Sequence, residues 1–333
     1  MANRPLLDSF GRRVTNLRIS LTDRCDFRCV YCMPPEGIAQ MPKSDYLSLD
    51  QLEKVVRLTG DMGVTRYRLT GGEPLLRRDI VEVVERLSAL DSVADLSITT
   101  NASRLAKLAA PLRAAGLDRV NVSLDSLDPE RFAAITRRDY YQQVRDGIEA
   151  ALDEGLPVKI NVVVMAGLAE SEIIDFVEMA VARSIEVRFL EFMPLCGTGW
   201  GAERVLPIDE VRSIVQKHYR LEELARLDRP AQTFTVDGGP GRVGFIAPLS
   251  EPFCESCSRI RISASGRIRP CLFSEVESDL APLLDTNDDT LAEAIRAAVW
   301  AKPAGSQFRD TPFREDAGEN WTTQGALIRN IGG

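Results

Sequence analysis

Three cysteines spaced C-x3-C-x2-C, Cys25, Cys29 and Cys32, follow directly on an apolar, strand-like run from Leu17 to Leu21. Thiols clustered at such short spacing are ligand geometry rather than core periodicity. A structural zinc or four-iron site usually closes its coordination with a fourth protein ligand, so three thiolates leave one metal position open to a small molecule. A second set, Cys254, Cys257 and Cys271, spaced C-x2-C-x13-C, again has three members, and Cys196 is left over from the total of seven. The bland alternatives are thiols buried as small hydrophobes, or one zinc ion pooling members of both sets. The spacing favours two metal centres, each with an open position.

The elements that must carry these loops are legible as an alternation. Short β-branched runs at Leu17–Leu21, Arg66–Thr70, Leu96–Thr100, Arg119–Leu124, Val158–Val163 and Val187–Glu191 are separated by helix-length segments such as Leu49–Met62, Ile80–Leu90 and Ser171–Arg183. Leu52, Val55, Val56 and Thr59 recur at helical spacing, with Ser48 and Asp50 suited to cap. Six βα repeats imply a parallel sheet. An open six-stranded (β/α)6 partial TIM barrel is favoured over a doubly wound sheet, and the pattern alone does not separate the two. The first Cys triplet, Gly71-Gly72-Glu73-Pro74, Thr99-Thr100-Asn101 and Glu191-Phe192-Met193-Pro194 all follow strand ends, where barrel enzymes carry their chemistry.

After Pro194 the alternation stops. This divides the chain into a barrel over 1–194 and a smaller C-terminal α+β region and tail over 195–333 that holds the second Cys set. That region is predicted to have a Gly-rich loop (Gly197, Gly199, Gly201), a short helix near Ile208–Tyr219, hairpins around Asp237–Arg242 and Ala264–Gly266, a strand over Arg259–Ser263 and a helix near Leu291–Trp300.

Bulk properties narrow the function classes. With 333 residues, 44% hydrophobic and 27% charged, the chain is ordinary for a globular protein. A net charge of −8 argues against general nucleic-acid binding. It still permits a phosphorylated small molecule held by local arginines. No run approaches the roughly 18 apolar residues of a membrane span, and the N-terminus lacks a signal peptide's apolar stretch. The expectation is a cytoplasmic protein with reduced, metal-binding cysteines and no membrane partner. The single histidine, His218, lies in a polar helical stretch and reads as solvated surface, which removes imidazole acid–base chemistry.

An open iron can chelate the amine and carboxylate of a methionyl group. Cys25-Asp26-Phe27-Arg28-Cys29-Val30-Tyr31-Cys32 resembles the signature of radical S-adenosylmethionine enzymes, and Gly71-Gly72-Glu73-Pro74 resembles that family's second marker. The resemblance implies that the first cluster and S-adenosylmethionine share one site. Gly71, Gly72 and Glu73 would engage the cofactor's amino group, Tyr31 would lie by its adenine, and Thr99, Ser123 and Arg188 would add contacts from later strand ends.

Leu17-Arg18-Ile19-Ser20, Arg68-Leu69-Thr70-Gly71, Asn121 to Leu127, and Cys254 to Phe273 with its Arg259 and Arg261 are similar to one branch, the GTP 3′,8-cyclase family of molybdenum-cofactor biosynthesis. The likeness runs from Gly11-Arg12 to Ile331-Gly332-Gly333. It implies two [4Fe-4S] clusters, held by Cys25, Cys29 and Cys32 and by Cys254, Cys257 and Cys271, with the substrate's guanine at the open iron of the second. Arg18, Arg66, Arg68, Lys159, Arg259 and Arg261 would bind GTP, and the terminal Gly332 and Gly333 would reach the active site. The implied reaction abstracts hydrogen from ribose carbon 3′, joins that carbon to guanine carbon 8, and yields 3′,8-cyclo-7,8-dihydro-GTP for a separate cyclic pyranopterin monophosphate synthase. A low-potential flavodoxin or ferredoxin would supply electrons, and a homodimer is compatible with the reading.

Asp26 stands where that family commonly has Asn, Ala102 where Gly is usual, and Arg329-Asn330 where a less polar pair is frequent; Cys196 matches no ligand position. Two other readings are a peptide-modifying radical enzyme with an auxiliary cluster, which would typically carry more downstream cysteines, and a non-enzymatic iron–sulfur or zinc redox sensor, which would not explain Gly-Gly-Glu-Pro or six βα units.

Overall fold

A computed structural model describes residues 4–168, 170–193, 202–225, 230–274 and 276–305. Parallel strands and helices alternate through the first half: β1 (Asn16–Ser20), α1 (Leu49–Asp61), β2 (Arg66–Thr70), α2 (Ile80–Ser88), β3 (Asp95–Thr100), α3 (Leu105–Ala114), β4 (Arg119–Ser123), α4 (Pro129–Thr136), α5 (Tyr141–Asp153), β5 (Val158–Val164), α6 (Ile173–Arg183) and β6 (Glu186–Glu191). Then follow α7 (Ile208–Gln216), β7 (Leu221–Glu223), β8 (Gln232–Val236), β9 (Arg242–Ile246), β10 (Arg259–Ile262), β11 (Arg267–Arg269), β12 (Ser278–Asp279) and α8 (Asp288–Trp300). Each strand read from the sequence forms within a residue or two of its expected bounds. Ser48 caps α1 in a capping box with Gln51, and His218 is exposed.

The later strands do not build a sheet of their own, as a separate α+β region would. The described strands form one sheet in the order β12-β11-β10-β1-β2-β3-β4-β5-β6-β9-β8-β7. β10 joins β1, and β9 joins β6, both in parallel. The two expected hairpins, β8–β9 and β10–β11, are antiparallel flaps hung on these added strands. The parallel core thus has eight strands, with the second Cys set on the edge beside β1.

The two faces of the sheet differ in kind. Leu17, Ile19, Tyr67, Leu69, Leu96, Ile98, Val120, Val122, Ile160, Val187 and Phe189 lie on one face, each at most 1% exposed, in one core with Leu52, Val56, Val83, Val84, Leu112, Ile148 and Phe176 of the helices. Side chains alternate along a strand, so the residues between them turn to the opposite face. There, register aligns Arg261, Arg18, Arg68, Ser97 and Arg119 across five strands, and Arg259, Asn16, Arg66 and Asp95 on the neighbouring rung. In closed barrels the inner face is a packed apolar core; the helix-free face of this sheet is polar and cationic.

The loop after β4 is pinned from below. Glu172, 5% exposed, accepts hydrogen bonds from Ser126 Oγ and from the backbone N–H groups of Leu127 and Asp128, and pairs with Arg131. Substituting Glu172→Ala orphans those donors and should destabilise the protein by roughly 2–4 kcal/mol. Urea unfolding of the cluster-free protein measures this, and a loss below about 0.5 kcal/mol would contradict the role.

Candidate active site

Cys25, Cys29 and Cys32 leave the C-terminal end of β1 in a loop fixed at several backbone points. Phe27 is 3% exposed and packs edge-to-face on Phe132 at 5.8 Å. Arg28 N and Val30 N donate to Thr136 O and Ile135 O, both at 2.9 Å. Arg137 Nη1 reaches the carbonyls of Arg28 and Met33, and Arg138 Nε donates to Asp26 O at 2.6 Å. Rigid placement of soft ligands is what an open cluster needs.

Gly71-Gly72-Glu73-Pro74 lies directly against this loop. Gly72 N donates to Thr22 O at 2.8 Å and Glu73 N to Arg24 O at 2.7 Å. A Cβ on Gly71 would sit 2.4 Å from Thr22 O and one on Gly72 2.2 Å from Arg24 O; Gly71 also holds φ +130°. Their glycine character is therefore set by the close approach of the backbone leading into the cysteine loop. Glu73 is 1% exposed and accepts from Leu75 N, Thr100 Oγ1 and Asn101 N at 2.7–3.0 Å. Burial pushes its carboxyl up to about 7 despite these bonds.

A cavity of about 220 Å³ opens over the three cysteines. Its wall includes Tyr31, Thr70, Gly71, Gly72, Glu73, Thr99, Ser123, Asn161 and Glu191, so one space touches the ends of β2 through β6 and the sheet must curl around it. Of the seven expected cofactor contacts, Arg188 alone does not line it. Thr70 Oγ1, Thr99 Oγ1, Asn161 Oδ1 and Glu191 Oε1 are buried there without a hydrogen-bond partner. Buried polar atoms of this kind call for a polar occupant. Tyr31 O–H donates to Asp125 Oδ2 at 2.6 Å, and Asp125 Oδ1 accepts from Val163 N at 2.9 Å. Burial raises Cys25 to about 12 and also raises Cys29, so these thiols stay protonated unless a metal takes the proton's place. The donor set, the rigid loop and the orphaned polar wall fit a cluster with a polar small molecule on its open iron.

The second Cys set lies at the other end of the sheet. Cys257 precedes β10, which runs parallel to β1, and Cys271 follows the antiparallel β11, so both belong to the end where β1 begins. Burial opposes ionisation of Cys257, yet Arg259 and Lys302 bring it down to about 6. Lys302, 2% exposed, donates to Cys257 Sγ at 3.4 Å, Arg259 O at 2.6 Å and Pro270 O at 2.9 Å. Arg12 Nη1 donates to Cys254 O at 2.8 Å and to Ala304 O at 2.8 Å. Among the described residues no three Cys, His, Asp or Glu side chains close on a single ion. A lone zinc would require thiolates within about 4 Å of one another, so the pooled-zinc alternative has no geometry here. None of the six described cysteines is in a disulfide.

Between the two Cys sets lie all six expected substrate cations. Burial, then Arg261, Arg68 and Arg259, lowers Arg18; burial, Arg188 and Arg119 bring Arg68 to about 9, and burial with Arg259 brings Arg261 to about 10. Lys159 differs, since Glu186 holds it together with Arg188. Asp125, Asn161, Glu191, Arg12 and Lys302 were not singled out as site residues; only Asp125, Glu191 and Arg12 fell within motifs that could have pointed to them. Gly332, Gly333 and Cys196 lie outside the described residues.

Burial alone would raise Glu186, but Arg188 and Lys159 outweigh it and hold it at about 2. A carboxyl depressed below its ordinary 4.5 contributes stability that is complete above that value and lost as pH falls through about 2. Glu186→Gln should therefore destabilise the cluster-free protein by on the order of 2–3 kcal/mol at pH 7. The gap should narrow between pH 5 and pH 3 in denaturant titrations, and a pH-independent gap would contradict the pairing.

Comparison with known proteins agrees with this geometry. Residues 19–180 match the radical SAM superfamily and residues 185–308 match Molybdenum Cofactor Synthesis C. The GTP 3′,8-cyclase of Streptomyces coelicolor is 43% identical over 316 residues, 92% of this chain and 93% of its own length. GTP 3′,8-cyclase 2 of Mycobacterium bovis is 44% identical over 320 residues, 93% of this chain and 89% of that one. Streptococcus suis SuiB, solved with S-adenosylmethionine, shares the fold with a TM-score of 0.58 at 18% identity, over 85% of this chain and 68% of its own. With such identity along nine-tenths of its length, and with both Cys triplets in place, the chain belongs to the GTP 3′,8-cyclase family of the radical SAM superfamily.

Proposed function

We infer that this chain converts GTP to 3′,8-cyclo-7,8-dihydro-GTP, the first step of molybdenum-cofactor biosynthesis. The observation that carries the reading is a layer of cations between two three-cysteine sites at opposite ends of one parallel sheet. A nucleoside triphosphate has the matching shape, with a ring at one end, a ribose in the middle and charge to meet guanidinium groups. A peptide would leave most of that charge unmet.

The curled sheet is read as an open (β/α)6 barrel over 1–194, with 195–333 supplying the second [4Fe-4S] cluster on Cys254, Cys257 and Cys271. When bound, S-adenosylmethionine and the reduced cluster on Cys25, Cys29 and Cys32 supply a carbon radical able to abstract hydrogen from an unactivated ribose carbon. The protein's own residues do the positioning. Gly71, Gly72 and Glu73 line one side of the cofactor space, Tyr31 is fixed by Asp125, and Thr99, Ser123 and Asn161 offer polar contacts from the sheet. Arg188 is assigned to the boundary between cofactor and substrate, because it shares Glu186 with Lys159. Arg18, Arg66, Arg68, Arg259 and Arg261 hold the phosphates and ribose of GTP. The same reading includes Gly332 and Gly333 at the active site, a flavodoxin or ferredoxin as electron donor, transfer of product to cyclic pyranopterin monophosphate synthase, and a cytoplasmic location.

The test is anaerobic reconstitution, reduction, and mass spectrometry of 5′-deoxyadenosine with and without GTP. A large GTP-dependent rise with a new product at the mass of GTP is expected; cleavage indifferent to GTP would discard the substrate. Arg261→Ala should weaken GTP binding about 10–100-fold with iron and S-adenosylmethionine content intact, the scale of one charge-assisted contact. Undiminished affinity in equilibrium binding would remove that assignment.

A further inference from the structure

A groove of about 680 Å³ opens beside the loop between β3 and α3, whose Ser103 contacts Asp26 of the first cysteine loop. Its walls come from the segment after Gly-Gly-Glu-Pro (Arg77, Arg78), the loop into α3 (Ser103, Arg104), the first turn of α3 (Lys107) and α5 (Asp146). Arg78, Arg104 and Lys107 are exposed, while Arg77 pairs with Asp79 at 2.9 Å. Asp146, the one carboxylate lining the groove, already accepts a hydrogen bond from Gln142 at 2.7 Å. A concentrated positive patch on a chain of net charge −8 runs against the overall composition. Its floor is apolar, with Leu75 and Ile80 at most 3% exposed.

The groove is also wired to the cysteine loop. Ser103 Oγ donates to Asp26 Oδ2 at 2.7 Å, and Asn101 Nδ2 to Asp26 Oδ1 at 2.7 Å. Asp26 adjoins Cys25 in the chain. Glu73, which anchors Asn101, belongs to the loop that continues into Arg77 and Arg78. A partner seated in this groove is therefore separated from the Cys25 end of the first site by one layer of hydrogen-bonded loop.

We propose that this groove docks the electron donor, an acidic low-potential carrier protein whose redox group faces the Asp26–Ser103 wall. The inference rests on the radical SAM reading above, which requires an outside reductant. One electron leaves the reduced carrier and enters the cluster on Cys25, Cys29 and Cys32; no atom is transferred. Positive charge facing an acidic carrier raises the association rate and makes it salt-dependent.

The experiment uses reconstituted holoenzyme and reduced flavodoxin as the probe. Arg104→Glu/Lys107→Glu is compared with the parent and with Arg220→Glu, a remote and exposed site. Flavodoxin affinity and the flavodoxin-driven rate of 5′-deoxyadenosine formation should fall at least about tenfold in the double variant and lose most of their salt dependence. With dithionite as reductant, GTP-dependent cleavage and thermal stability should match the parent. Flavodoxin binding equal to that of the parent, an equal loss in Arg220→Glu, or a loss of GTP binding instead would each overturn the proposal. Failure of the underlying reading is separable, because the parent with dithionite would then show no GTP-dependent cleavage.

Discussion

The structure is organised by a repulsion. Arg18, Arg66, Arg68, Arg119, Lys159, Arg188, Arg259 and Arg261 share one face of the sheet across β10 and β1 to β6, and those strands supply only Asp95 and Glu186 as counter-charges on that face. Those two carboxylates are taken by Arg119 and by the Lys159–Arg188 pair. Across β10, β1 and β2 the guanidinium groups neighbour one another, and burial with mutual repulsion depresses Arg18, Arg68 and Arg261 together. A fold can carry such a face only if the other face pays its way in apolar burial. The fully covered Leu, Ile, Val and Phe side chains against the helices do this. Repulsion also sets what can bind, since a polyanion removes the cost that water leaves in place.

The same division decides what could be read in advance. Strand and helix positions were legible because the helix-facing residues recur at period two and period 3.6, and that pattern survives whatever the inner face does. The cysteines were legible because ligand spacing is local. The placement of β9 and β10 on the outer edges of the parallel core was not, since edge choice depends on contacts far apart in sequence. Lys302 was invisible for a related reason. A lone lysine just after a helix reads as a complement to the helix dipole, and only folding brings it onto Cys257 and Pro270. Asp125 lay in a quoted motif, yet its bond to Tyr31 spans 94 residues.

Two positions that depart from the family pattern turn out to be joined. Ala102 holds φ +61°, a conformation costing an L-residue roughly 1–2 kcal/mol relative to glycine. Asp26 accepts from Asn101 Nδ2 on one oxygen and from Ser103 Oγ on the other, bracketing Ala102 from both sides. An asparagine at 26 would offer one oxygen acceptor where the carboxylate offers two. Asp26 therefore helps hold Ala102 in its strained turn and, through it, the register of Thr99 and Asn101 beside the first site.

Placing the two Cys sets at opposite ends of one sheet has a geometric consequence for the chemistry. The strands are five to seven residues long over β1 to β6, so a rise of about 3.3 Å per residue spans roughly 17–23 Å. A nucleotide reaching from one end of the sheet toward the other would therefore bring its sugar near a cofactor held over the first Cys set. Under the reading proposed above, a guanine at the Cys257 end would lay its ribose and phosphates along the arginine-bearing strands, toward the polar wall of Thr99, Ser123 and Asn161. On that reading the charged layer would act by orientation, directing binding energy to the placement of one ribose carbon against the cofactor.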